Sequence, residues 1–427
     1  MQDDMNGNEE EKIILILGAC CLDRLLTVDS YPLPDSKIKT RAYHEVGGGN
    51  GGNVATAMAL LKDAPFATSS SNVKIKLLAQ VGDDAVATRL VEDLTCAGVD
   101  LSLLRQEAHS TTSFTTTIVS SSSPTRTCLF TPGTCGNVPM DDIDSDNIWE
   151  GNVVHFHTDG RNPDLALALA QEATRRHIPV SVDPEKDRQL PAQDKMMELA
   201  SILFLNATQM NDFFQRKHQE FSTTITQRQQ TLDGLKPETA NLDPAIITSA
   251  IQPSLSYLCW HGTQQLHKQV VITKGDLGAI RVTAQELVET QTAQKMELMA
   301  DNVATPNSIS MQVPCSIVGG TTHGLARLTV ESVGVLQNAD IVDTTGAGDA
   351  FIGGYLLSRI LLGPDDPPQF ALHLGAWVAG KKLGGPGAQS ALPTARDVSN
   401  ELGNTVEEMQ SALHNLIGHF GGDAGEE

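Results

Sequence analysis

Residues 339–362 constrain this chain more than any other stretch, because they read as a strand, a tight glycine turn and a helix. On this reading Ile341 and Val342 close a short apolar strand, and Asp343-Thr344-Thr345-Gly346-Ala347-Gly348-Asp349 makes the turn. Residues 350–357 then carry apolar side chains at helical spacing. The small residues Gly346, Ala347 and Gly348 let backbone N–H groups converge ahead of the helix. Those donors, with the positive end of the helix dipole behind them, make a site for an anion. Asp349 sets a carboxylate beside it. Phosphoryl transfer needs this pair: one element stabilises charge on the moving group, and the other takes the proton of the attacking hydroxyl. The plainer alternative is an acid that caps the helix, and Asp343 suits that role better than Asp349.

A net charge of −22 argues against a nucleic-acid partner, which requires a basic surface. It also sets a problem for any protein that handles phosphate. The answer has to be local, built from backbone amides, a divalent cation and a few placed lysines or arginines. At 427 residues and 40% hydrophobic content the chain is globular, and long for one domain. Its seven cysteines are odd in number and lack metal-type spacing, which points to a reducing compartment. Residues 2–11 are polar and acidic, the wrong chemistry for a targeting peptide, and no apolar run is long enough to cross a bilayer. The expectation is a cytoplasmic protein with no membrane partner.

Along the chain, residues 12–17 form an unbroken apolar run, as a buried parallel strand does, and Asp23 follows near its carboxyl side. Residues 37–46 read as an exposed strand. The loop Gly47-Gly48-Gly49-Asn50-Gly51-Gly52-Asn53 precedes a helix at 54–61. Positions 47, 49 and 52 spell the dinucleotide fingerprint G-x-G-x-x-G, but that motif must follow a buried strand, and the strand before it here is polar. Asparagine amides brought close by glycines suit hydrogen bonding to hydroxyls instead. Further strands read at 74–81, 153–159, 179–182, 202–206 and 270–273, and helices at 164–177 and 369–382. Residues 113–119 and 126–131 flank a turn and read as a hairpin, with Arg126 placed to face a ligand anion or solvent. His155, His157 and Asp159 share one face of a strand; the end of a strand beside an active site explains them better than a metal triad, so no protein-held metal is expected.

The glycine–asparagine loop at 48–53, the sequence of residues 343–349 and the trio Thr273, Gly275 and Gly278 resemble the PfkB or ribokinase-like family of small-molecule kinases. The resemblance runs from residue 12 to the end, apart from insertions, and within the family it is strongest to the ketohexokinase (animal-type fructokinase) branch. Tyr31-Pro32, Asp35-Ser36-Lys37-Ile38, Asp159-Gly160-Arg161-Asn162, residues 181–186 and residues 378–382 carry that finer likeness. One position departs from the family: Asn206-Ala207-Thr208-Gln209 ends in an amide where the family carries a glutamate.

The resemblance implies an α/β, three-layer αβα sandwich with a mostly parallel central sheet and a small β-sheet lid. It implies ATP with Mg²⁺, leaves room for a monovalent cation, and assigns Asn206, Thr273, Gly275 and Gly278 to the nucleotide. Asp23, Gly49, Asn50 and Asn53 would hold sugar hydroxyls, with Arg126 nearby; Asp349 would be the base, and Gly346, Ala347 and Gly348 the anion hole. The expected organisation is an acidic, disordered 1–11, a kinase domain at 12–420 with lid strands at 37–46 and 113–131, surface insertions at 215–257 and 283–313, and a disordered tail at 421–427. The lid would also clasp a second copy into a homodimer. A ribokinase or nucleoside kinase of the same fold, or a catalytically weak binding or regulatory homologue, stands as the alternative.

Overall fold

Strand β1 (Lys12–Leu17) is buried at every position from Ile13 to Leu17, as its unbroken apolar run predicts. The computed structural model describes residues 11–67, 72–122, 126–140, 146–210, 212–213, 268–290, 308–316, 323–363 and 369–419. They fall into two compact units, Met1–Pro179 with Asn338–Asn415, and Val180–Gln337 with Leu416–Glu427. The terminal segments 1–10 and 421–427 and the insertion at 215–257 lie outside the described residues.

In the first unit β1 pairs in parallel with β4 (Val73–Gly82) on one side and β8 (Asn152–Thr158) on the other, and β4 continues in parallel to β5 (Leu104–Glu107). Helices α1 (Asn50–Leu61), α2 (Ala85–Cys96) and α3 (Pro163–Arg175) pack on these strands, the arrangement that alternating strand and helix patterns require. Helix α5 (Ala347–Leu362) is apolar nearly all round and buried along most of its length, so it sits between neighbours rather than at a surface. It lies against α1 and α6 (Phe370–Lys382). Helices α1 and α5 run side by side in the same sense. Asn53 meets Asp349 in their first turns, and a Cβ on Gly353 would stand 2.6 Å from the Ala57 Cβ one turn further along.

A second, smaller sheet in this unit has the order β3-β2-β6-β7, built from β3 (Ala42–Gly48), β2 (Cys21–Val28), β6 (Phe114–Ser120) and β7 (Arg126–Thr131). The β6–β7 hairpin is antiparallel, as the sequence predicts. Residues 37–41, expected in a strand, are not; pairing starts at Ala42 and continues to Gly48. Asp23 also moves from its expected place. It lies within β2, hydrogen-bonded between β3 and β6, because the chain leaves the first sheet at Gly18 and joins the second three residues later.

The strand expected to end at Ile341 and Val342 does not form. Both side chains are exposed, and the segment is an irregular lead-in whose Val342 and Asp343 amides donate to the Leu383 carbonyl. Two adjacent β-branched residues mimic a strand, but the strand has no partner here.

In the second unit β9 (Val180–Val182), β10 (Ile202–Asn206) and β11 (Gln269–Thr273) are parallel. Helix α4 (Pro191–Leu199) links the first two. Antiparallel strands β12 (Ala279–Thr290), β14 (His323–Val333) and β13 (Ser308–Ser316) extend this sheet in the order β11-β12-β14-β13. Residues 283–313, expected as a surface insertion, have strands at both ends: β12 runs to Thr290 and β13 starts at Ser308. Polar residues inside β12 hid it, and the structure shows how one is accommodated. Arg281 faces Glu331 across the β12–β14 register, and the two buried side chains form an ion pair at 2.5 Å. Removing either partner would strand a buried charge, at about 3–5 kcal/mol. No helix among the described residues is long and apolar enough to cross a membrane.

Candidate active site

The turn before α5 is a network centred on Asp343. Its carboxylate accepts from the Thr345 amide at 2.9 Å, the Thr345 hydroxyl at 2.8 Å and the Gly387 amide at 2.7 Å. Burial works to raise its pKa, but these hydrogen bonds and the Lys382 charge together hold it below the ordinary value. Asp343 therefore folds the turn on itself and does not cap the helix, as the plainer sequence reading had it. The capping position belongs to Gly346, left-handed at φ 74°, with no side-chain cap. A Cβ at Gly346 would stand 2.5 Å from the Ala388 Cβ, whereas one at Gly348 would meet nothing within 4 Å.

Two cations serve this turn. Lys382 is wholly buried and donates its ammonium to the Asp343 carbonyl at 2.7 Å. Burial pushes its pKa down to about 8, against the upward pull of Asp343 and Asp349, with Arg126 adding to the fall. Arg126, half exposed on β7, donates to the Thr344 hydroxyl at 2.7 Å and the Thr345 hydroxyl at 3.2 Å.

Asp349 is buried in the first turn of α5, where its Oδ2 accepts from Asn53 Nδ2 at 2.7 Å. Asn53 Oδ1 in turn accepts from Gln389 Nε2 at 2.9 Å. Helix α1 starts at Asn50, not at 54, so Asn50 and Asn53 both stand in its first turn rather than in a loop. Gly49 precedes them at φ 83°, and a Cβ there would collide with the Ala19 carbonyl at 2.5 Å. Asp159 holds this approach together: its Oδ2 accepts from the Ala19 amide at 2.6 Å and the Gly51 amide at 3.1 Å, and its Oδ1 from the Arg161 amide at 2.9 Å. Its two histidine neighbours on β8 are buried, and burial lowers them to about 4 for His155 and about 3 for His157, so both are neutral.

Asp23 is almost fully buried, and burial pushes its carboxyl up to about 6. A hydrogen bond with Thr115 and the charge of Arg126 oppose that rise, while Asp343 adds to it. The structure thus brings Asp23 within electrostatic reach of Arg126 and Asp343, and joins Asn53 directly to Asp349. Gln389 and the role of Asp159 were missed in the sequence. Asp159 had left a signal as the acid on the β8 face, but nothing local marks Gln389.

In the second unit Asn206 and Thr273 end adjacent parallel strands and sit opposite each other in register. The turn that follows is a single 3-10 turn, Gly275–Leu277, closed by the Lys274 amide on the Gly278 carbonyl at 2.8 Å. Gly275 lies at φ 60° with open space beside it, and Gly278 at φ 105° packs against the Val333 carbonyl. Gln209 Oε1 accepts from the Asn206 backbone N–H at 2.6 Å, while the Gln209 backbone N–H donates to Asn206 Oδ1 at 2.9 Å. An amide thus performs the local bond that a carboxylate would make at this position.

A first-turn acid beside an open glycine, on an α/β scaffold, suits a phosphotransferase with an alcohol acceptor. The chain belongs to the pfkB family of carbohydrate kinases, whose profile matches residues 12–257 and 328–395. It is 29% identical over 232 residues to an ATP-dependent ribose-1-phosphate kinase of Halopiger xanaduensis, covering 53% of this chain and 73% of the relative. It is 26% identical over 188 residues to ketohexokinase of Mus musculus, covering 42% of this chain and 59% of that protein. In fold it is similar to a ribokinase of Arabidopsis thaliana solved with ribose and ATP, with a TM-score of 0.59 at 17% identity, over 91% of this chain and 97% of the other. The protein is a carbohydrate kinase of the pfkB family with an α/β, ribokinase-like fold.

Proposed function

We propose that this kinase uses ATP to phosphorylate a hydroxyl of a free sugar, with a ketohexose such as fructose as first candidate. The observation that carries the reading is Asp349, buried in the first turn of α5, next in sequence to Gly348, where a Cβ would meet nothing within 4 Å, and held by Asn53. On this reading Asp349 takes the proton of the attacking hydroxyl, and the amides around Gly346, Ala347 and Gly348 meet the transferring phosphoryl. Asp23 and the first turn of α1, with Gly49, Asn50 and Asn53, hold sugar hydroxyls. An ionised carboxylate accepts from two neighbouring hydroxyls at once. Asn206, Thr273, Gly275 and Gly278 hold the nucleotide. Magnesium would neutralise charge on the phosphate oxygens, and it is typically held through substrate phosphates and water more than by a protein cage.

A sugar phosphate is the second reading, because the Halopiger relative is named for ribose 1-phosphate and Arg126 supplies a half-exposed cation. The buried acid Asp23, raised further by Asp343, weighs against a second dianion there. ADP release measured with fructose, other ketoses, aldoses, ribose 1-phosphate and nucleosides decides. A far higher kcat/KM for ribose 1-phosphate or a nucleoside than for any free sugar overturns the free-sugar reading.

The small sheet is the proposed contact for a second copy. β7 is exposed at all six positions and carries Leu129 and Phe130 to solvent, with Tyr43 on β3 also exposed. Light scattering at micromolar protein should return twice the chain mass; a monomer refutes the pairing.

A further inference from the structure

We propose that Gln389 is a positioning residue that sets the basicity of Asp349 through the amide of Asn53. Gln389 lies 336 residues from Asn53 and 40 from Asp349 in sequence (389 − 349), yet the three side chains form one chain of hydrogen bonds. The sense of that chain is fixed by chemistry. An ionised carboxylate only accepts, so Asn53 must turn its NH₂ toward Asp349 and leave Oδ1 facing the other way. Gln389 Nε2 fills that position at 2.9 Å, and so holds Asn53 in the one orientation that donates to the carboxylate at 2.7 Å.

A second observation shows that space is kept for this arrangement. Gly47 lies at the start of the glycine loop, and a Cβ on it would stand 2.3 Å from Gln389 Oε1. Gly47 is thus open for the Gln389 amide and not for a ligand. A hydrogen bond donated to the ionised form of an acid favours that form, so the relay acts together with the buried Lys382 of α6, whose charge also interacts with Asp349, to keep the acid deprotonated and ready to accept a proton. This inference rests on the reading of Asp349 as the base, but its test is separable.

The test is Gln389→Glu. The introduced carboxylate cannot donate to Asn53 Oδ1. It should draw the Asn53 NH₂ to itself and present oxygen to Asp349, which favours the protonated acid. The midpoint of Asp349 in the free protein, followed by ¹³C NMR of labelled aspartate carboxylates and assigned with Asp349→Asn, should rise by about one pH unit. The acid limb of kcat/KM, measured with ATP and the best sugar of the panel, should move by the same amount. Gly47→Ala should displace the flexible end of Gln389 and shift both midpoints in the same direction by less. Combined with Gln389→Ala, it should add nothing further. An Asp349 midpoint unchanged in folded Gln389→Glu protein overturns the relay. Near-normal turnover in Asp349→Asn overturns the base instead, and leaves the NMR midpoint to decide the relay on its own.

Discussion

The two glycine-rich segments of the first unit use the same residue for opposite ends. In the stretch 47–52, Gly49 gives way to the Ala19 carbonyl, Gly51 to the Gly18 backbone and Gly47 to Gln389. In the turn before α5 only Gly346 gives way to protein, and Gly348 faces open space. The first segment locks two elements together, while the second leaves room for something that is not the protein. A glycine count in sequence treats them alike, and only their surroundings separate a packing glycine from a binding one.

The sharpest way to break that contrast is Asp349→Asn. If the open side of the turn is where phosphate moves, losing the proton acceptor should lower kcat by about 10²–10⁴-fold. Melting temperature should hold, because Asp349 is inside the first turn and no side chain caps α5. Near-normal kcat with early melting would make the aspartate structural.

Next in size is a matched pair, Gly51→Val and Gly348→Val. At Gly51 a side chain would meet the Gly18 Cα at 2.6 Å, backbone against backbone, so the melting temperature should fall by the equivalent of about 1–3 kcal/mol or more. At Gly348 the fold should tolerate valine, while nucleotide affinity and kcat fall about tenfold or more as the anion loses its approach. Equal melting losses in both would erase the distinction.

The smallest effect concerns Asp23. Its folded pKa of about 6 lies above the ordinary 3.8, so the fold binds the extra proton between those values. Stability from this group is full below about pH 4, falls as pH rises toward 6, and stays reduced above it. Asp23→Asn should therefore stabilise the protein at pH 7 by about 1–3 kcal/mol, with the gain vanishing near pH 4, while KM for sugar rises. Urea unfolding at the two pH values checks the first part, and a variant less stable at pH 7 would refute it.

What was legible in the sequence was local. Residues 343–349 carry their chemistry within seven positions, and buried parallel strands such as β1 announce themselves by unbroken apolar runs. What failed needed a partner to be seen. Ile341 and Val342 had strand composition and no strand beside them, whereas β12 had polar residues and, in Glu331, a partner for its arginine. The tie from Gln389 through Asn53 to Asp349 spans hundreds of residues, so no window of sequence contains it. The boundary of α1 was misplaced for a related reason: glycines lower helix propensity, but the clamp from Asp159 to Gly51 stabilises the turn they begin.

The parallel alignment of α1 and α5 also bears on the net charge of −22. Each helix start is equivalent to roughly half a positive charge, and two starts side by side repel one another. The fold accepts that repulsion, with Asn53 of one helix bonded to Asp349 of the other. A positive potential made this way belongs to the peptide groups themselves. It does not titrate, takes no acetyl or methyl group, and does not depend on the acidic side chains of the surface. On the proposed reading, such a potential would favour a phosphate whatever the net charge of the surface around it.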